Sequence, residues 1–267
     1  MTVLFTFSKT NLLLFYLFCR KLWFFCEIYV ILKDNGVMFA RRGDDSGMIV
    51  SDRSLVKKSQ KGKYPNIKNL YSTIPRDMRM HMYRVSWYAQ MLFEAAKEQQ
   101  LWDDSLPEDI MEYSEEIFQL HDIGRHYIPI DIYNKVEALT EEEREEIRKH
   151  TLYALDVEKV VFFPFLPEHI MPYFRQVATM HHERMDGGGY PYGKKGDEIP
   201  FMAKVCAIAD AYDGMVSWKA YKERLSREQA FEILQKEAGR QFQPELVECF
   251  IQCRKKIEAI ELTMIGE

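Results

Sequence analysis

From Asp77 almost to the C-terminus the chain carries a helical period, interrupted at intervals by capping signals and glycines. This pattern constrains the fold more than any other feature. Val85, Tyr88, Ala89, Leu92 and Ala96 recur at three- and four-residue spacing, which predicts an amphipathic helix over 77–99. Ser105-Leu-Pro-Glu108 has the form of a capping box with proline in the first turn, opening a helix through Ile110, Ile117 and Leu120. Thr140-Glu-Glu-Glu143 is a second box, and its helix is expected to reach His150 and continue toward Val157. A further helix is expected over 169–182, ended by the run Gly187–Gly189, and then one over Met202–Asp213 with Gly214 as its stop. Ser226-Arg-Glu-Gln229 opens a helix closed by Gly239, and Pro244 begins a last helix over 244–262. Nothing in this region alternates with period two, so the expected fold class is all-α, a helical bundle.

Upstream of that bundle the composition changes. Residues 1–37 are mostly apolar, but Arg20, Lys21 and Glu27 interrupt the stretch Leu12–Leu32 that would otherwise span a membrane. Central charges cost about 2.5–3.5 kcal/mol each on insertion scales. No small-residue cleavage site follows the run Leu12–Cys19, so a secretory signal is not supported. Two readings stay open: an interfacial anchor giving weak peripheral membrane association, or a start upstream of the natural one, with Met38 beginning the working protein. Residues 38–76 hold nine Lys/Arg against three Asp/Glu without periodicity, and are expected to be a basic linker to a domain over 77–267.

That domain holds 23 basic and 36 acidic residues, too acidic a balance for long nucleic acid, whose binding rests on phosphate neutralisation. A small phosphorylated ligand is still accessible through a few local cations or metal ions. The five cysteines form no CxxC and no paired zinc spacing, which suits a reducing cytoplasm.

The seven histidines carry the strongest signal. His81 lies on the first helix, with Asp77 one turn before it. His121-Asp122 is expected to end the second helix, His150 the third, and His181-His182 the fourth. Asp210 and Asp213 stand three apart on the fifth, so they share a face. Taken singly, a helix-terminal histidine is more often a solvated or dipole-stabilised residue than a ligand. Five helices that each present a His or Asp are another matter, because bundles build metal sites from inward-facing ligands on separate helices. Imidazole and carboxylate without thiolate suit Fe, Mn, Ni or Zn in an open site. His126 and His169 fall outside the pattern and are expected at the surface. The pair Cys249 and Cys253, at i and i+4 on the last helix, is expected to serve packing.

The segments HMYRVSWYA, LHDIGRHYIP, HHERMDGGGYP, IADAYDGMVSWKAYK and AGRQFQPELV, spread over about 77–253, resemble the HD-GYP domain. This is the branch of the HD phosphohydrolase superfamily associated with hydrolysis of cyclic di-GMP. The resemblance implies an HD-type helical bundle preceded by the short apolar segment and basic linker. By position it implies metal ligands at His81, His121, Asp122, His150, His181, His182 and Asp210, with Asp122 bridging two divalent ions, Fe or Mn being favoured. Some members hold a third metal through a Glu one turn before the first His. Here that position is Asp77, one methylene shorter, and a third ion there stays an open expectation.

The implied reaction is two-metal phosphodiester hydrolysis, in which ions about 3.5–4 Å apart activate a water and stabilise the phosphoryl oxygens. The product would be pGpG, with GMP as a further one. Family phosphate-binding positions fall on Arg125, Lys219 and Lys222, where Arg125 replaces the usual Lys and Lys219 the usual Arg. Both exchanges keep the charge and change its shape. Gly189 and Tyr190 are expected to face the substrate, Tyr190 having a purely structural role as its equal alternative. The glycine-rich loop is also the family's surface for diguanylate cyclase partners. Asp213 is a candidate catalytic residue, preferentially by orienting a ligand rather than by transferring a proton. Two alternatives remain: another cyclic dinucleotide or nucleotide as substrate, or a non-hydrolytic cyclic di-GMP receptor.

Overall fold

A computed structural model describes the backbone of 3–7, 28–32 and 36–40, and residues 70–265 apart from 72, 134, 136, 162, 164 and 218–223. The chain divides into two compact units, Met1–Tyr64 and Pro65–Glu267. In the first, β1 (Val3–Phe7) pairs parallel with β2 (Ile28–Leu32), which pairs antiparallel with β3 (Gly36–Ala40). Val30 stands opposite Met38, so the boundary expected at 37/38 falls inside β3. The run Leu12–Cys19 and most of the basic segment lie outside the described residues.

The second unit is helical. It begins before residue 77, because Leu70 and Ile74 are already buried in its core. α1 (Arg76–Glu98) matches its expected span, and buries Val85, Tyr88, Ala89, Leu92 and Ala96 as the periodicity requires. It packs against α2 (Ile110–Gln119) on one side and α7 (Phe201–Val216) on the other. α7 is central because it is apolar round most of its circumference, with Met202, Val205, Cys206, Ile208, Ala209 and Tyr212 all buried. Its carboxylates Asp210 and Asp213 lie one turn apart and mark its functional side. Tyr212 sits edge-on to Tyr88 at 5.1 Å and stacks on Phe231 at 5.6 Å, joining α1, α7 and α8 (Arg227–Glu237) in one core. Truncating a fully buried member such as Leu92 to Ala costs about 2–5 kcal/mol.

The remaining elements are α3 (Ile130–Tyr133), α4 (Glu141–Arg148), α5 (His150–Val160), α6 (Met171–Met180), α9 (Pro244–Gln252) and α10 (Arg254–Ile265). The boxes at Thr140 and Ser226 form as expected, each side chain accepting the N3 amide. The box at Ser105 does not. Asp103 accepts both the amide and the hydroxyl of Ser105, and α2 starts later, at Ile110. The helix expected from Thr140 past His150 breaks at Lys149 into α4 and α5. Gly214 does not stop α7; Met215 and Val216 pack on the core and carry the helix one turn further. The last helix is interrupted at Cys253, and Cys249 and Cys253 are both buried, as packing residues would be.

Candidate metal centre

Four of the histidines are held from behind through Nδ1. His121 Nδ1–H donates to the Phe118 carbonyl at 2.8 Å, His150 to Ile147 at 2.6 Å, and His181 to Val177 at 2.9 Å. His81 donates instead to a carboxylate, Asp213 Oδ2, at 2.7 Å. A hydrogen on Nδ1 leaves Nε2 as the nitrogen available to a ligand, and all four Nε2 atoms point to Asp122.

Asp122 follows α2 rather than ending it, together with His121, and opens a 3-10 turn over Ile123–Tyr127. Its side chain is buried, and its two oxygens face different neighbours. Oδ1 lies 3.1 Å from His150 Nε2 and 3.6 Å from His181 Nε2. Oδ2 lies 3.5 Å from His121 Nε2 and 3.6 Å from His81 Nε2. Two donor clusters result: Asp122, His150, His181 and His182 on one side, and His81, His121 and Asp122 on the other. Asp210 joins the second, with Oδ1 3.1 Å from His81 Nε2 and 4.0 Å from His121 Nε2, and its Oδ2 approaches His182 Nδ1 at 3.9 Å.

The electrostatics of this donor set suit cations. His121 Nε2, Asp122 Oδ1 and His182 Nε2 are buried with no hydrogen-bond partner among the described residues. His150 and His181 turn their Nε2 lone pairs toward one another at 3.4 Å, which is repulsive without a cation between them. Burial and the neighbouring His181 push His182 well below the ordinary histidine range, and burial with Arg125 brings His150 down to about 4, so both are neutral ligands at pH 7. Burial alone would raise Asp122, but Arg125, His121 and His150 hold it well below the usual carboxylate range. His81 is the exception. Burial lowers it, yet its bonds to Asp210 and Asp213 outweigh that and raise it to about 9. Nitrogen and carboxylate donors around one bridging Asp fit two divalent ions.

Gly124 brings the halves of the centre together. A Cβ there would stand 2.0 Å from the His150 carbonyl oxygen and 2.5 Å from the Ala154 amide, so only glycine lets α5 seat against the 3-10 turn. Gly189 has a similar reason to be glycine: its Cβ would meet Arg184 N and Glu183 Cα at 2.5 Å. Gly189 therefore serves close packing, and Gly187 supplies a left-handed φ of 82°. The loop is tied down by Glu183, a buried carboxylate accepting the Tyr192 and Lys194 amides at 2.7 and 2.9 Å. It is also tied to the turn after α8, since Met185 and Asp186 donate their amides to Gln241 and Arg240. This gives AGRQFQPELV a docking role.

The other expected residues separate. Tyr190 stacks on His182 at 4.8 Å with the Arg148 guanidinium 5.6 Å from its ring, so its face is occupied by protein. Arg125 Nε donates to Asp122 Oδ2, and its side chain is 15% exposed at the edge of the centre. Asp213 lies behind His81, bonded to its Nδ1, and does not belong to either cluster. Asp77 is exposed on the first turn of α1 and, among the described residues, is in neither cluster. Lys219 and Lys222 lie outside the described residues. His126 and His169 are not among the donors; they bond Thr73 and Asp109 in exposed pairs. Arg84, Arg148 and Glu183 were not singled out by the sequence reading. Arg84 alone had a local cue, standing three residues after His81 on the same helix face.

A family model described as the HD domain matches residues 112–246, half of the chain. The chain belongs to the HD domain family. Among curated relatives, it is 33% identical over 172 residues to a probable cyclic di-GMP phosphodiesterase of Vibrio cholerae, covering 64% of this chain and 39% of that protein. It is 34% identical over 184 residues to a cyclic di-GMP phosphodiesterase of Thermotoga maritima, covering 68% of this chain and 46% of that one. A third relative, a 3'3'-cGAMP-specific phosphodiesterase of V. cholerae, is 29% identical over 199 residues, covering 74% of this chain and 36% of that protein. The chain thus spans less than half the length of these relatives. Among the described residues, no helix is long and apolar enough to cross a membrane.

Proposed function

We propose that this HD domain is a metal-dependent phosphodiesterase that hydrolyses cyclic di-GMP to pGpG, with GMP as a further product. The observation that carries the proposal is Asp122, which gives one oxygen to each of two histidine clusters. The names of the Vibrio and Thermotoga relatives supply the substrate class. Two ions held there, Fe or Mn in preference to Ni or Zn, would supply Lewis-acid activation of water and stabilise charge on the phosphoryl oxygens.

The chain's own residues do the rest. His121, His150 and His181 present Nε2 on rings fixed by backbone carbonyls, and Asp210 closes the cluster beside His81. Arg125 keeps a permanent positive charge next to Asp122, where it meets a substrate phosphate together with Lys219 and Lys222. Tyr190 buttresses His182 and offers the substrate only its edge. The glycine-rich loop, where Tyr192 is exposed, is the proposed surface for a diguanylate cyclase-type partner, and 1–37 is proposed for weak membrane association unless Met38 begins the working protein.

The test is anaerobic turnover by the full chain reconstituted with Fe(II) or Mn(II), with products separated chromatographically. A His121→Ala, Asp122→Ala double variant is the blank. Metal-dependent pGpG or GMP from the wild type alone is the expected result, and no product from a folded, metal-loaded chain refutes it. The cGAMP-specific relative motivates a parallel assay with 3'3'-cGAMP. Faster turnover of that substrate would transfer the assignment to it, and tight binding without turnover would make the domain a receptor.

A further inference from the structure

The histidines of the centre are not held alike. His121, His150 and His181 lean on carbonyls three or four residues earlier, in the last turns of the helices that precede them. His81, on α1, leans on Asp213 of α7, a fully buried carboxylate. That carboxylate is itself clamped. Arg84 donates Nε to Oδ1 at 2.6 Å and Nη2 to Oδ2 at 2.9 Å, and the Ser217 hydroxyl donates to Oδ1 at 2.8 Å. Arg84 stands one turn after His81 on α1, so one helix carries both the ligand and the cation that fixes the ligand's support.

The physical consequence is local. A carboxylate behind an imidazole draws on the Nδ1 proton more strongly than a carbonyl does, and makes Nε2 a better donor. A buried carboxylate close to Asp122 and Asp210 is costly unless paired, and the fork of Arg84 offsets that cost while fixing both oxygens. None of this support touches the other cluster, where His150 and His181 lean on backbone carbonyls and His182 stacks on Tyr190.

We infer that Arg84 is a positioning residue, acting through Asp213 and His81 to set the affinity of one metal position only. That position is the one formed by His81, His121, Asp210 and Asp122 Oδ2. The position formed by His150, His181, His182 and Asp122 Oδ1 is independent of it. The inference rests on the metal-centre reading above and extends it to unequal metal positions.

Mn(II) titration of the full, metal-stripped chain tests it, read by stoichiometry and by electron paramagnetic resonance. The wild type is expected to bind two ions with an exchange-coupled signal. In Arg84→Gln one ion should weaken about 10- to 100-fold while the other keeps its affinity, leaving an uncoupled signal at intermediate Mn(II). Arg84→Lys, which keeps the charge without the fork, should recover part of the loss. Asp213→Asn should reproduce it, and serves if Arg84→Gln does not fold. Combining Arg84→Gln with His150→Ala should weaken both ions. Equal weakening of both ions in Arg84→Gln, or no weakening of either, overturns the inference and leaves the metal centre standing. A folded wild type that takes up no Mn(II) overturns both.

Discussion

Gly124 offers the sharpest test of how the two clusters are brought together. In Gly124→Ala the new Cβ would stand 2.0 Å from the His150 carbonyl oxygen, a distance that carbon and oxygen do not tolerate. Reaching even a tight contact of 3.0 Å requires about 1 Å of movement, and the obstacle is backbone on both sides. The direction of relief is set by the geometry. α5 must lift away from the 3-10 turn, which carries His150 away from Asp122, two residues before Gly124. The present 3.1 Å between His150 Nε2 and Asp122 Oδ1 would open by a similar amount.

Overpacking of this kind costs about 1–3 kcal/mol. For a chain of this size each kcal/mol corresponds to roughly 2–4 °C in Tm. The expected result is a metal-free Tm lower by about 2–12 °C, together with weaker uptake at the His150 position. Scanning calorimetry of the metal-free protein and Mn(II) titration read the two effects separately. A variant with wild-type Tm and two unweakened ions would show that α5 is not seated through Gly124, and would refute the argument.

Other expectations follow from the same geometry. Because His81 is raised to about 9, the metal-free centre carries a proton there at pH 7 that metal must displace. Calorimetry in buffers of different ionisation enthalpy should show proton release, with apparent affinity rising up to about pH 9; uptake without release refutes it. His81 also ties stability to pH in the metal-free protein. Its folded value lies above the ordinary histidine value of 6.5, so its stabilisation is complete below about 6.5 and is lost as pH rises through about 9. His150, lowered to about 4, acts oppositely, with stability present above about 6.5 and lost as pH falls through 4. Denaturant midpoints measured across that range check both signs. Asp122→Asn should abolish the exchange-coupled pair of ions and reduce turnover at least 100-fold, and a coupled signal in that variant would remove the bridging role. Tyr190→Phe should bind metal normally, whereas Tyr190→Ala should lose about 0.5–1.5 kcal/mol of ring stacking on His182. Equal loss in both would assign the role to the hydroxyl instead.

The helices and the convergence of the histidines were largely legible in the sequence, for separable reasons. Period and capping boxes are local, so α1 and α8 come out close to their expected spans and α4 starts where its box places it, and the histidines cluster because helix ends in a bundle converge. What failed was decided by competition or by tertiary packing. Ser105 found a better partner in Asp103 than in the helix it was expected to cap. Gly214 is a weak breaker, worth about 1 kcal/mol against Ala, and the packed Met215 and Val216 overrode it. Gly189 was expected to face the substrate, and Tyr190 either the substrate or the bundle; the fold adds close contacts of Gly189 with Glu183 and Arg184 and of Tyr190 with His182, which spacing does not show. Arg84 and Glu183 act on partners supplied by the fold, so their roles could not be read from spacing alone.

The carbonyls behind His121, His150 and His181 belong to the last turns of α2, α4 and α6, where each also takes a backbone amide and the imidazole adds a second donor. Each imidazole therefore finishes a helix with one nitrogen and offers a ligand with the other. The same ring braces a helix end and presents a donor nitrogen, so fraying at any of these three ends would also displace a donor of the proposed centre. If the proposed centre holds its ions, the stability of these helix ends and the occupancy of the centre are linked.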